Sequence, residues 1–224
     1  MIGQRLKSLP RMLALLSFLG VALVGVPEAK SQPAPSGGLF GVAIIGGTPK
    51  LVSIDPMTGA VTHPVTAAAN DGVSFPGTHP RAAQGISALD AATHRYFSVM
   101  EDSTASTSTR RLVVINTQTG DLEVDPPAAL AHPFASLEFD RGVGPTGTLF
   151  GVAIIGGTPK LVSIDPLTGA VTHPVTGAAD DGVSFPGTGP RAAQGISALD
   201  GATHQHFSVM EDSTATGSTR RLVV

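Results

Sequence analysis

A chain of 224 residues, 42% hydrophobic and 14% charged, is long enough to bury one sizeable core or two small ones. A net charge of −3 argues against a nucleic-acid partner, which would select a basic face, and the absence of cysteine excludes disulfides, thiolate metal ligation and a cysteine nucleophile. With no Trp, one Tyr, 27 Gly and 18 Pro, packing must rest on aliphatic side chains in a turn-rich chain, which favours many short strands over long helices.

The first element is a targeting segment. Arg5, Lys7 and Arg11 precede the uncharged apolar run Met12–Val26, and Ala29-Lys30-Ser31 follows as a small-x-small cleavage site. That order predicts a signal helix in residues 1–31 and bacterial-type export, so the protein is expected to be secreted or periplasmic. The run falls short of the ~20 residues of a spanning helix, so membrane contact is expected only through an uncleaved signal. Residues 32–38 (QPAPSGG) read as a linker to a repeat domain at 39–224.

The repeat governs the rest of the chain. Leu39–Val114 aligns without a gap onto Leu149–Val224, the two being joined by residues 115–148. The copies differ at nine positions: Met57/Leu167, Ala67/Gly177, Asn70/Asp180, His79/Gly189, Ala91/Gly201, Arg95/Gln205, Tyr96/His206, Ser106/Thr216 and Thr107/Gly217. A fainter period lies inside each copy, where Leu112–Gly120 resembles Leu161–Gly169 and Tyr96–Met100 resembles Leu149–Ile154. Its length is near the ~40–50 residues of a four-stranded propeller blade.

Strands follow from β-branched runs and their punctuation. Leu51–Ile54 is closed by Asp55-Pro-Met-Thr-Gly59, after which Ala60–Thr62 returns. Asp or Asn at the turn start can bond the backbone ahead of it, and the final Gly supplies a positive φ. The same grammar recurs at Asn116–Gly120 and Asp165–Gly169, and no sustained helical stripe occurs outside the signal. These signals predict an all-β, β-propeller-like array of about four antiparallel blades at roughly 39–66, 86–126, 136–176 and 196–224, closed or left as an incomplete ring. The first blade is expected to lack its innermost strand and the last its outermost. The resulting edges make strand pairing with another chain an expected contact.

The segments LVSIDPMTGAVT (51–62), LVVINTQTGDLEV (112–124) and LVSIDPLTGAVT (161–172) resemble the blade hairpins of YVTN-type and quinoprotein-like β-propeller repeats. The resemblance implies fold rather than activity. Exported members of such families often bind or scaffold, and some are lactonases or other hydrolases. The missing tryptophan docking motifs argue against a bound quinone, and no cofactor is expected.

The resemblance also implies a top face, built from loops between blades and between second and third strands, where a ligand site is expected. Those loops are read as Ala67–Gln84, Asp102–Thr109, Asp125–Ala135, Gly177–Gln194 and Asp212–Thr219. They or their flanks carry Asp71, His79, Arg81, Glu101, Asp102, His132, Asp181, Arg191, Glu211 and Asp212 as candidate ligand-binding residues. Glu101-Asp102 and Glu211-Asp212 each face an Arg-Arg pair across a hairpin, which reads as ion pairing rather than a Ca²⁺ cluster. His204-Gln-His206 places two imidazoles on one strand face, but only one is repeated, and no metal site is expected. No Gly-x-Ser-x-Gly elbow occurs, and no Ser/His/Asp set is suggested by spacing.

Three functions follow as expectations. The first is an exported binding or scaffold protein with a protein or carbohydrate ligand. The second is a secreted lactonase- or glycosidase-like hydrolase using top-face carboxylates with His79 or His132. The third is a truncated fragment without independent function.

Overall fold

The computed structural model describes residues 38–64, 72–77, 80–103, 108–125, 127–179, 181–186, 190–214 and 217–224, those at 82–85, 103, 108, 190–195, 212–214 and 217–218 by backbone alone. The described part holds four small antiparallel sheets arranged like a four-bladed β-propeller, with no helix among the described residues. No helix among them is long and apolar enough to cross a membrane. The signal segment at 1–31 lies outside the described residues.

The first sheet joins β1 (Leu39–Ile45), β2 (Thr48–Ile54) and β3 (Val61–Thr62), with β4 (Val73–Ser74) also on β2. The second runs β5 (Pro80–Asp90), β6 (Arg95–Ser103), β7 (Ser108–Asn116) and β8 (Ala128–Ala129) in order. The third is β9 (Phe134–Asp140), β10 (Thr148–Ile155), β11 (Thr158–Ile164) and β12 (Val171–Thr172), with β13 (Val183–Ser184) also on β11. The fourth is β14 (Pro190–Asp200), β15 (Gln205–Thr214) and β16 (Gly217–Val223). The innermost strands β5, β9 and β14 contact one another.

Local chemistry explains the hairpins. Ile45 pairs Thr48 across a two-residue turn in which Gly46 and Gly47 have φ of 61° and 81°. Two successive positive φ values make the turn whose twist suits antiparallel strands, and glycine adopts them without a Cβ clash. At the far end of β2, Asp55 Oδ1 accepts from the Met57 and Thr58 amides at 2.7 and 3.2 Å, and Gly59 N donates to Asp55 O at 2.7 Å. Asn116 and Asp165 repeat these bonds, so all three turns read from the sequence form as expected. The two amide donors hold the Asp55 carboxyl below its usual range.

Aliphatic faces then stack. Ile86, Phe97, Leu112 and Val114 of the second sheet pack on Leu137, Leu149, Val162 and Ile164 of the third. A second cluster places Leu51 and Phe75 against Tyr96, Met100, Val113 and Ile115. Each such buried side chain stabilises the fold by roughly 1.5–3 kcal/mol relative to exposure.

The blade limits differ from the sequence reading. Val73–Ser74 and Val183–Ser184 join the first and third sheets by pairing with Leu51 and Leu161. The second and fourth sheets start at Pro80 and Pro190. The Pro/Gly-rich sequence that reads as loop continues as strand here, with a register shift between Ala82 and Ser87 and another between Ala192 and Ser197. A shift lets one strand re-aim its side chains without leaving the sheet. Among the described residues, no strand lies inside β1 in the first sheet or outside β16 in the fourth.

Candidate functional site

Each sheet has two ends, and they differ in chemistry. One end carries the turns at 91–94, 117–121, 141–147, 165–169 and 201–204. At the foot of the innermost strands, Asp90, Asp140 and Asp200 each accept hydrogen bonds from their own turn. Asp90 takes the Ala92 amide at 3.1 Å and the Thr93 hydroxyl. Asp140 takes the Gly142 amide at 2.8 Å, and Asp200 takes the Ala202 amide at 2.9 Å.

Basic side chains from the next sheet complete two of these carboxylates. Arg141 Nη1 donates to buried Asp90 at 2.9 Å, tying the third sheet to the second. His204 Nδ1 lies 2.8 Å from Asp140 Oδ2, tying the fourth sheet to the third. His204 holds a φ of 57°, in the left-handed region, and its ring lies where a Cβ on Gly142 would stand. A buried carboxylate needs such a partner, because an unpaired charge there is costly.

Above His204, polar groups stand between the third and fourth sheets. Ser197 Oγ donates to Glu138 Oε1 at 2.7 Å, and burial pushes the Glu138 carboxyl up. His206 occupies the position of Tyr96, and both its ring nitrogens are sealed from solvent without a hydrogen-bond partner. Burial pushes the His206 imidazole down. The two histidines therefore do not converge on a metal: His204 precedes β15 in a turn and reaches Asp140, while His206 sits within the strand. No group of three potential metal ligands occurs among the described residues.

The same turn end holds a cleft between the second and third sheets. Its two overlapping lobes enclose 270 and 330 Å³. Phe97 and Phe139, stacked at 5.4 Å and 15°, form its apolar wall. The rim carries Arg95, Glu123, Thr146, Ser163 and Asp165. Arg95 Nε donates to Glu123 Oε2 at 2.5 Å, and Ser163 shares a 2.6 Å hydrogen bond with the Thr172 hydroxyl. A few placed polar groups over an apolar wall, in a volume of this size, suit a small polar ligand.

The residues read from the sequence lie elsewhere. Arg81 is exposed in β5 rather than in a loop, opposite Glu101 of β6. Glu101 in turn faces Arg110 of β7, whose Nη2 stands 3.2 Å from its Oε1. Arg191, Glu211 and Arg220 repeat this register in the fourth sheet, with Arg220 3.3 Å from Glu211. The carboxylates thus pair with arginine as the spacing suggested. Asp102 and Asp212 stand opposite Pro80 and Pro190 in the same ladders. Asp181 is exposed and 3.4 Å from Lys160 Nζ. His132 is half-buried just before β9. Asp71 and His79 lie outside the described residues.

Strand direction separates these groups from the cleft. Arg95 and Glu101 start and nearly end the same strand, about 20 Å apart at 3.3 Å per residue. The cleft residues escaped the sequence reading because Asp165 and Ser163 looked like turn grammar alone. One signal was present: Arg95 is among the few positions that differ between copies, being Gln205 in the second. Neither a protein family, a curated protein nor a solved structure matches this chain.

Proposed function

We propose that this is an exported binding or scaffold protein, and that the cleft between the second and third sheets takes a small polar ligand of saccharide type. The cleft carries this reading. It combines a guanidinium, two carboxylates and several hydroxyls with a paired-phenyl wall, and hydroxyl-rich ligands are recognised by such mixtures of hydrogen bonding and apolar contact. The leader-like sequence at 5–31 supports export. Among the described residues, the cleft lining includes no histidine, so a hydrolase that pairs carboxylates with His79 or His132 finds no imidazole there. Of the two histidines named for that role, His132 stands at the other end of the sheets and His79 lies outside the described residues.

The test is saturation-transfer NMR and titration calorimetry of the full chain against a panel of mono- and disaccharides. Arg95→Gln installs the residue of the second copy, so it is compatible with the strand. It is expected to weaken the best saccharide about tenfold, the loss of a charge-assisted hydrogen bond. Saccharides that bind the variant and the parent alike, or that bind neither, would refute the cleft as the site.

A further inference from the structure

The duplication supplies an internal control on burial. Ile86, Leu112 and Val114 of the second sheet recur in identical sequence as Ile196, Leu222 and Val224 of the fourth. Ile86 is 3% exposed and Ile196 51%; Leu112 is 0% and Leu222 62%. The second sheet's face is covered by the third sheet, while the same face of the fourth sheet is open. The converse holds at the other end of the array. Leu149 of the third sheet is 1% exposed, and its duplicate in the first sheet, Leu39, is 50% exposed.

The molecule therefore presents the two halves of an interface it already uses. The fourth sheet offers the surface that the second offers without its outer strand β8. The first sheet offers half-exposed Leu39 with half-buried Ile54 and Val61 where the third offers Leu149, Ile164 and Val171, while Val52, the duplicate of Val162, is already buried. The two surfaces do not meet within one chain, since Leu39, Leu222 and Val224 all stay at least half-exposed. We propose that the fourth sheet of one chain docks on the first sheet of a second copy, reproducing the packing of the second sheet on the third. The interface is heterologous, so each chain keeps one free face of each kind and association continues head to tail. The first sheet brings no counterpart of Leu137 from β9 among the described residues, so the contact covers less area than its template. Association of this kind needs no ligand in the cleft.

Sedimentation velocity on the full chain tests it. The parent chain is expected to show a mass that rises with concentration. Leu222→Arg and Leu39→Arg alter one face each, at side chains already half-exposed, and each variant alone is expected to stay monomeric. Their equimolar mixture is expected to stop at a dimer, because one intact fourth-sheet face then meets one intact first-sheet face. Val224→Arg and Val61→Lys serve as a second pair, and unchanged circular dichroism checks the fold of each. A parent chain that is monomeric throughout, as ring closure within the chain would give, overturns the proposal. So does a mixture that stays monomeric. A single variant that still associates, through like faces or through the apolar run at 12–26, overturns it too.

Discussion

At position 206 the second copy carries an imidazole where the first carries the phenol of Tyr96. Tyr96 is buried and shares a side-chain hydrogen bond with Ser87. In the second copy, the corresponding Ser197 hydroxyl is committed to Glu138, and His206 is left with two unpartnered nitrogens. An unsatisfied buried polar group costs about 1–3 kcal/mol. Because burial depresses the His206 pKa, the unfolded chain binds a proton more readily than the folded one. Stability from this group is thus intact above the unfolded value near 6.5 and is lost as pH falls through the folded value. Glu138 has the opposite sign: its raised pKa favours the fold below the unfolded value near 4.5, and that gain fades as pH rises through the folded one. His206→Tyr is expected to raise stability by about 1 kcal/mol at neutral pH. It should also lessen the loss of stability on going from about pH 7.5 to 5.5, because tyrosine takes up no proton in that range. Urea melts of both proteins at the two pH values check it, and an unchanged pH dependence would show that another group governs acid sensitivity.

Among the elements, the hairpins are the most autonomous. Gly156 and Gly157 repeat the positive φ pair of the first sheet, with open space around both. Gly156→Ala therefore meets no neighbour and is strained by backbone conformation alone, at about 1–2 kcal/mol. Gly201→Ala restores the residue of the first copy, has open space and carries no positive φ. It is expected to be neutral or to stabilise by up to ~1 kcal/mol through the unfolded chain. Denaturant titration of the two variants should give shifts of opposite sign, or of clearly different size. The contrast also explains what could be read in advance. The turns at 55–59, 116–120 and 165–169 were legible because an Asx side chain and a glycine decide them within five residues. Val73–Ser74 and the first residues of β5 and β14 were not, because their pairing depends on partners far along the chain. The cleft was hidden for the same reason: Arg95 and Asp165 belong to different copies and meet only when the second sheet packs on the third.

On the scale of the whole molecule, stability is distributed by position in the array rather than by sequence. Leu112 and Leu222 sit in the same local string, Arg-Arg-Leu-Val-Val, opposite duplicated strands, and share intrinsic strand propensity. Their environments differ in what covers the sheet and in the strand alongside, since Leu112 pairs with Ala128 of β8 and no described strand lies outside β16. Leu112 is fully enclosed by the third sheet, and its truncation removes methyl groups and leaves a cavity among Phe97, Leu137 and Leu149. Leu112→Ala is therefore expected to cost about 2–5 kcal/mol, enough to take a large share of a domain's total stability. Leu222→Ala empties no enclosed space in the single chain and should stay within about 0.5–1 kcal/mol. Both values come from urea unfolding at high dilution, where contacts between chains do not contribute. Equal costs at the two positions would mean that the fourth sheet's outer face is covered in the folded chain, and that the stacking order of the sheets differs from the one described. A large difference would show that the second and third sheets form the stable centre of the array, with the first and fourth sheets held to it by Tyr96 on one side and by the Asp140–His204 latch on the other.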